Sequence, residues 1–253
     1  MNAIADTWTL AVRTLKHNIR SVDTIMTVLA MPLMLLLAFV FVLGGAMDTG
    51  PIRYVDFVVP VVLLYVITTG VAYTSFRVNE DVRSGMFTRL RTMPIARGAL
   101  LGGHTAASVI VNAVSVALIG LFALLIGYRP VAGPAGWALT AGLLLLALVA
   151  FSLAGVAFGM VAKTVEGAGM IVYIMMGLLF VSSGFAPTHT MPIPLRVFAE
   201  HQPMTAIVNA IRDAQLALPD DGSALAATIW LAAIAAAGAV AALIANARPP
   251  ARS

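Results

Sequence analysis

The sequence predicts an all-α polytopic membrane protein. It should have six transmembrane helices, an N-terminal amphipathic interfacial helix, an amphipathic cytoplasmic segment and an outer re-entrant helical hairpin. Three observations predict this. The 253 residues are 60% hydrophobic and only 10% charged, whereas a soluble domain carries about a quarter charged residues and could not hide so much apolar surface. The apolar residues fall into six runs of the length a helix needs to cross a bilayer, about 20 residues. The few charges stand between those runs rather than in them.

Taken in order, residues 1–22 precede the first run. Within Ala3 to Arg20, the residues Ile4, Trp8, Ala11, Val12, Leu15 and Ile19 recur at helical spacing, while Asp6, Thr9, Arg13, Lys16 and Arg20 take the other faces. Such a helix lies in the headgroup plane with Trp8 at the interface, or packs its apolar stripe on a cytosolic partner. The rest of the chain, 23–247, reads as a single transmembrane domain with spans at about 24–47, 57–76, 99–128, 136–162, 167–185 and 223–247, followed by a tail at 248–253. The first run is too long for a signal-peptide core and is retained as a helix.

Charge placement orients the spans. With both termini cytoplasmic, 11 of the 15 Lys and Arg residues lie inside. Arg53, Arg129, Arg196 and Arg212 lie outside, which satisfies the positive-inside rule.

Two connecting segments are more than loops. Arg77 to Gly98 holds five of the thirteen arginines, the adjacent acids Glu80 and Asp81, and a short stripe of Met86, Phe87, Leu90 and Met93 before Pro94 stops the helix. A solvated positive loop accounts for the arginines. The exposed stripe reads better as a plug for a groove on a cytosolic partner. Ser182 to Gly222 contains Pro187, Pro192, Pro194, Pro203 and Pro219, so no long helix crosses it. About forty residues is long for a connection. It reads as a half-entering helical hairpin, since irregular backbone at membrane depth needs protein or water around it. A loosely ordered external loop is the alternative.

Several chemistries are excluded. Cys is absent, which rules out disulfides, zinc fingers and thiol catalysis. No G-x-S-x-G or H-E-x-x-H motif occurs, and His17, His104, His189 and His201 are far apart, so no metal site is predicted. Lys163-Thr164 is no phosphate-binding loop, because Ala157 and Ala162 stand where glycines are required. Every Asp, Glu, Lys and Arg maps to a loop or span end, leaving no mid-membrane acid to couple an ion gradient. His104 reads as a satisfied interfacial histidine. Nothing suggests nucleic acid as a partner. An intramembrane hydrolase using Ser182 or Ser183 with His189 or His201 is the remaining enzymatic alternative.

Within the spans, Gly155 and Gly159, four apart, and Ala232, Ala236 and Gly238 offer faces for close helix approach. Tyr65, Thr68, Thr69 and Tyr73, Asn112 and Ser115, and Tyr173 and Met176 would line a pathway, or serve as ordinary interhelical bonders.

The stretch Glu80, Asp81, Arg83, Gly85, Arg89, Leu90, Arg91, Pro94, Ile95 and Arg97 and the outer residues Ser183, Gly184, Pro187, Pro203 and Arg212 carry a resemblance. Over essentially its full length, the chain resembles the ABC type-2 permeases, the membrane subunits of ATP-binding-cassette exporters, in the drug-resistance branch typified by the daunorubicin permease. Gln202 stands where that family often has Asn. The resemblance implies that Arg77–Gly98 forms a coupling helix inserted into a separate ATPase. Glu80, Asp81, Arg83, Gly85, Phe87, Leu90, Arg91, Pro94 and Arg97 would carry the coupling, and Gly184, Pro187, Pro203 and Arg212 would shape the outer hairpin. It further implies two copies of that ATPase, with ATP and Mg bound there and no cofactor in this chain, and a second permease, either another copy or a paired one. The location implied is a bacterial cytoplasmic membrane. The cargo implied is an amphiphilic or hydrophobic compound such as a drug, antibiotic or lipid, with a lipid-linked polysaccharide or glycolipid as the alternative.

Overall fold

The computed structural model describes residues 7–12, 29–47, 49–86 and 98–247. All the regular structure among them is helical: α1 (Met31–Leu37, continued by a π-helical stretch, Ala38–Leu43), α2 (Tyr54–Arg83), α3 (Ala99–Leu125), α4 (Pro134–Val161), α5 (Val165–Phe180), α6 (Ile193–His201), α7 (Pro203–Leu216) and α8 (Ser223–Ala247), with a single 3-10 turn at Thr188–Thr190. The predicted helix class is therefore observed. Four helices (α2, α3, α4 and α8) are long and apolar enough to cross a membrane, and Met31–Leu43 and α5 are shorter apolar helices. At 1.5 Å per residue the 16 residues of α5 reach about 24 Å, short of the roughly 30 Å of hydrocarbon in a typical bilayer. The predicted fifth span at 167–185 thus ends early. After Phe180 the chain turns through Ser182, Ser183 and Gly184.

Helix α2 is the centre of the molecule. It packs against α1, α3, α4, α5 and α7, and its residues from Phe57 to Val71 are buried without a break. The outer helices show lipid-like faces instead. Val114, Leu118, Leu121 and Leu125 of α3 and Leu225, Ile229, Val240, Leu243 and Ile244 of α8 are exposed. A surface this apolar is stable against lipid, not water.

Glycines set how closely the central helices approach. A Cβ at Gly159 would lie 2.5 Å from the Ser75 carbonyl oxygen of α2, and one at Gly238 of α8 would lie 2.8 Å from the Ala154 nitrogen of α4. These are the small-residue contacts expected of packing without a hydrophobic driving force. Since backbone cannot step aside as a side chain does, Gly159→Ala is expected to destabilise the chain by about 1–3 kcal/mol, read as a lower thermal midpoint in detergent.

The N-terminal prediction is described only over residues 7–12, which are helical. There Leu10 and Ala11 rest on Gly103 of α3, Ala11 is buried and Trp8 is exposed. The remaining part of the predicted interfacial helix lies outside the described residues.

The turn into α8 is held by Asp220, whose Oδ1 accepts the N–H groups of Gly222 and Ala224 and the Ser223 hydroxyl. The Ala224 N–H is the main reason its carboxyl sits below its ordinary value. A lowered carboxyl contributes stability above the ordinary carboxylate range and loses it as pH falls through the lowered value. Asp220→Ala is therefore expected to melt below the parent at neutral pH, with the difference closing as the solution is acidified.

Candidate functional site

Candidate residues gather at the two ends of α2. At the Arg83 end, the helix runs further than the sequence suggested. Glu80, Asp81 and Arg83 stand on its last two turns, not in a loop that begins at Arg77. The run Arg77–Arg83 has no helix breaker, and Arg77 and Glu80 form an i, i+3 ion pair of 2.7 Å. The helix stops at Gly85, whose φ of +74° is the left-handed conformation glycine adopts most readily. Gly85 donates its N–H to the Val82 carbonyl, and Ser84 donates to Glu80. The predicted coupling residues Phe87, Leu90, Arg91, Pro94 and Arg97 lie outside the described residues.

Two contacts lock this end in place. Asn79, fully buried, donates its side-chain amide to the carbonyls of Gly159 (2.9 Å) and Ala162 (2.7 Å), satisfying acceptors that the end of α4 leaves open. Buried His104 on α3 places Nε2 3.2 Å from the Asp81 carboxylate. The His104–Asp81 contact links α2 and α3 on either side of the segment that connects them.

In the middle of the molecule, Thr74, Ser108, Ser152 and Asn112 form a buried polar chain. Thr74 Oγ1 lies 2.7 Å from Ser108 Oγ, which lies 2.8 Å from Ser152 Oγ, while Asn112 donates to the Ser108 carbonyl at 3.0 Å. A Cβ at Gly70 would overlap the Asn112 side-chain amide. Among the predicted pathway residues, Tyr65, Thr68, Thr69, Asn112 and Ser115 are buried. Thr69 and Ser115 donate to carbonyls of their own helices. Met176 is partly buried in the core, Tyr73 is partly exposed, and Tyr173 is exposed. Asn112 of α3 rests on Gly70 of α2.

The Phe57 end is built around Arg212. Its side chain is only 6% exposed and its guanidinium lies 3.8 Å above the Phe57 ring. Nε and Nη2 donate to the Phe57 carbonyl (3.2 and 3.1 Å), Nη2 also to the Ser183 carbonyl (3.0 Å), and Nη1 to Asn209 Oδ1 (3.2 Å). Ser183 Oγ donates to the same Asn209 oxygen at 2.6 Å. Gln202 donates to the Leu178 carbonyl and accepts from the Met204 N–H, capping α7 just before Pro203. Gly184 sits against Val61 so closely that a Cβ would overlap it.

Of the predicted outer residues, Gly184 and Arg212 meet, while Pro203 begins α7 and Pro187 immediately precedes the 3-10 turn. The segment also folds more fully than its prolines suggested. Pro203 starts α7, and Pro194 falls in the first turn of α6, positions where a missing N–H costs nothing.

Two of the charges outside the spans are nonetheless buried. Arg212 is one, and Asp56, in the first turn of α2, is the other, accepting from the Arg129 N–H at 2.9 Å and paired with Arg53. Three acids, Asp213, Asp220 and Asp221, do come within 4.8 Å of one another. Their oxygens are engaged with Ser223 and its neighbours at the start of α8.

A family model for the ABC-2 type transporter matches residues 5–216. The chain belongs to that family. Proteins of that family are the membrane subunits of ABC transporters. Among curated proteins, the chain is 31% identical over 191 residues to the "Daunorubicin resistance ABC transporter permease protein DrrB1" of Streptomyces coeruleorubidus. That similarity covers 74% of this chain and 66% of the relative, just under two thirds of the relative's length. The matched model region ends at the close of α7, so it takes in both ends of α2 and the Arg212 junction.

Proposed function

We propose that this ABC-2 chain is the permease subunit of an exporter. It moves an amphiphilic or hydrophobic compound out across a bacterial cytoplasmic membrane, and a separate ATPase subunit supplies the energy. The observation that carries this reading is the 31% identity to a permease named for daunorubicin resistance. The Arg83 end of α2 supports it. There a helix with a charged collar is anchored to α3 and α4 and leads straight into the amphipathic segment 87–97. In this reading both termini are cytoplasmic, Arg77–Gly98 docks on the ATPase, and α6–α7 form a re-entrant hairpin closing the outer side. Two permease copies face each other across the pathway, each with its ATPase, and ATP and Mg bind the ATPases. Glu80, Asp81 and Arg83 orient the docking, while Phe87 and Leu90 fill the partner's groove. The test is reconstitution of the chain with the ABC ATPase that copurifies with it, followed by a screen of drugs and lipids for stimulated ATP hydrolysis. A stimulating drug or amphiphile supports the reading; stimulation confined to lipid-linked sugars points to the other cargo class.

A further inference from the structure

Arg212 raises a physical question that membership in a permease family does not answer. A guanidinium out of water is costly, and proteins that bury one usually pair it with a carboxylate. Among the described residues no carboxylate lies within ion-pair distance of Arg212. Its partners are the backbone carbonyls of Phe57 and Ser183, a longer 3.4 Å contact to the Gly184 carbonyl, the neutral Asn209 side chain and the Phe57 ring. These belong to three separate pieces of chain: the start of α2, the turn after α5, and α7 itself.

We infer that Arg212 is a positioning residue acting as a releasable latch, which holds the α5–α6 turn and α7 shut against the start of α2. The chemistry suits release. Every hydrogen-bond and ring partner is neutral, and Asp213, the acid whose charge reaches Arg212, travels with it on α7, so when the joint parts, water can replace each bond without separating an ion pair. The freed cation also regains its hydration. An apolar plug would give no such return, and an Arg–carboxylate pair would hold the joint harder. Gly184 contributes by letting the turn sit directly on Val61. The inference rests on the export reading only for the direction in which the joint opens.

The chain contains no Cys, so a single introduced thiol reports opening cleanly. Ser182, fully buried in the latched turn, and Ser152, buried in α4, serve as local and global reporters. With the full chain in lipid nanodiscs, both faces are open to a water-soluble maleimide and neither ATPase nor cargo is needed. Failure of the export reading therefore leaves this test intact. Arg212→Gln is expected to speed labelling of Ser182→Cys at least tenfold while leaving Ser152→Cys unchanged. Arg212→Lys, which keeps the charge but not the planar fork, should fall between parent and Gln. Asn209→Asp, which places a carboxylate on Nη1, should slow labelling below the parent rate. An unchanged rate at 182 in Arg212→Gln, an equal rise at 152, or no slowing in Asn209→Asp would overturn the latch.

Discussion

Phe87→Asp is expected to leave the chain inserted, yet to reduce ATP-driven transport to background. Phe87 stands in the stripe Met86, Phe87, Leu90 and Met93 between arginines. An aromatic anchor that fills a partner's pocket is the kind of residue whose loss dominates an interface. A carboxylate there would be buried without a counter-charge. The structure adds the mechanical context. Helix α2 is continuous from the Arg212 junction to Gly85, about 45 Å for its 30 residues, and its last turns are fixed to α3 and α4. A push on the segment after Gly85 therefore reaches the other end of the molecule along one helix. Transport and ATP hydrolysis measured in the same proteoliposomes check this. Residual hydrolysis that no longer responds to cargo is the expected signature, and unchanged transport would count against the docking role.

The second large effect is expected at Asn79. Its amide ties the end of α4 to the turn of α2 that precedes the charged residues, meeting two carbonyls at 2.9 and 2.7 Å. Asn79→Leu keeps the volume but leaves both acceptors unpaired, a cost of about 1–3 kcal/mol for each stranded group. The thermal midpoint in detergent should fall clearly. Coupling should suffer more than folding, because the collar of Glu80 and Asp81 loses its anchor one residue away. Asn79→Asp distinguishes these outcomes. It cannot donate to the carbonyls at all, so it should be at least as destabilised as Leu; a melting point like the parent's would show that the bonds contribute little.

Much of this was legible in the sequence because lipid imposes a blunt rule. Long charge-free runs must be helices, and α8 falls on the predicted residues 223–247. Helix ends were less legible. The end of α2 is set by Gly85 and by an ion pair, not by hydropathy, so Arg77 marked the start of charge without marking the end of the helix. The short length of α5 is not visible in the charge pattern, because Val181 to Phe185 carry no charge and the charge-free run continues past the helix end. What breaks it is a turn of small residues seated on α2.

The two buried anchors were harder still. Nothing in the sequence pattern beside Glu80 and Asp81 singles out Asn79. Arg212 was read as an outer charge, although Met204, Val208, Ile211 and Gln215 show that position 212 continues the buried stripe of α7. A cation on the apolar face of an amphipathic helix was the available signal. The Thr74–Ser108–Ser152 chain joins three helices, and spacing along one helix carries no information about its partners on the others.

The central claim is that this chain is a passive pathway powered from outside itself. The most direct measurement is cargo movement in proteoliposomes containing the chain alone, the chain with its ABC ATPase, and the chain with that ATPase inactivated at its own ATP site. Transport that requires both the chain and an ATP-hydrolysing partner is the predicted result. Directional, ATP-driven transport by the chain alone, or equal transport with the inactivated ATPase, would contradict it.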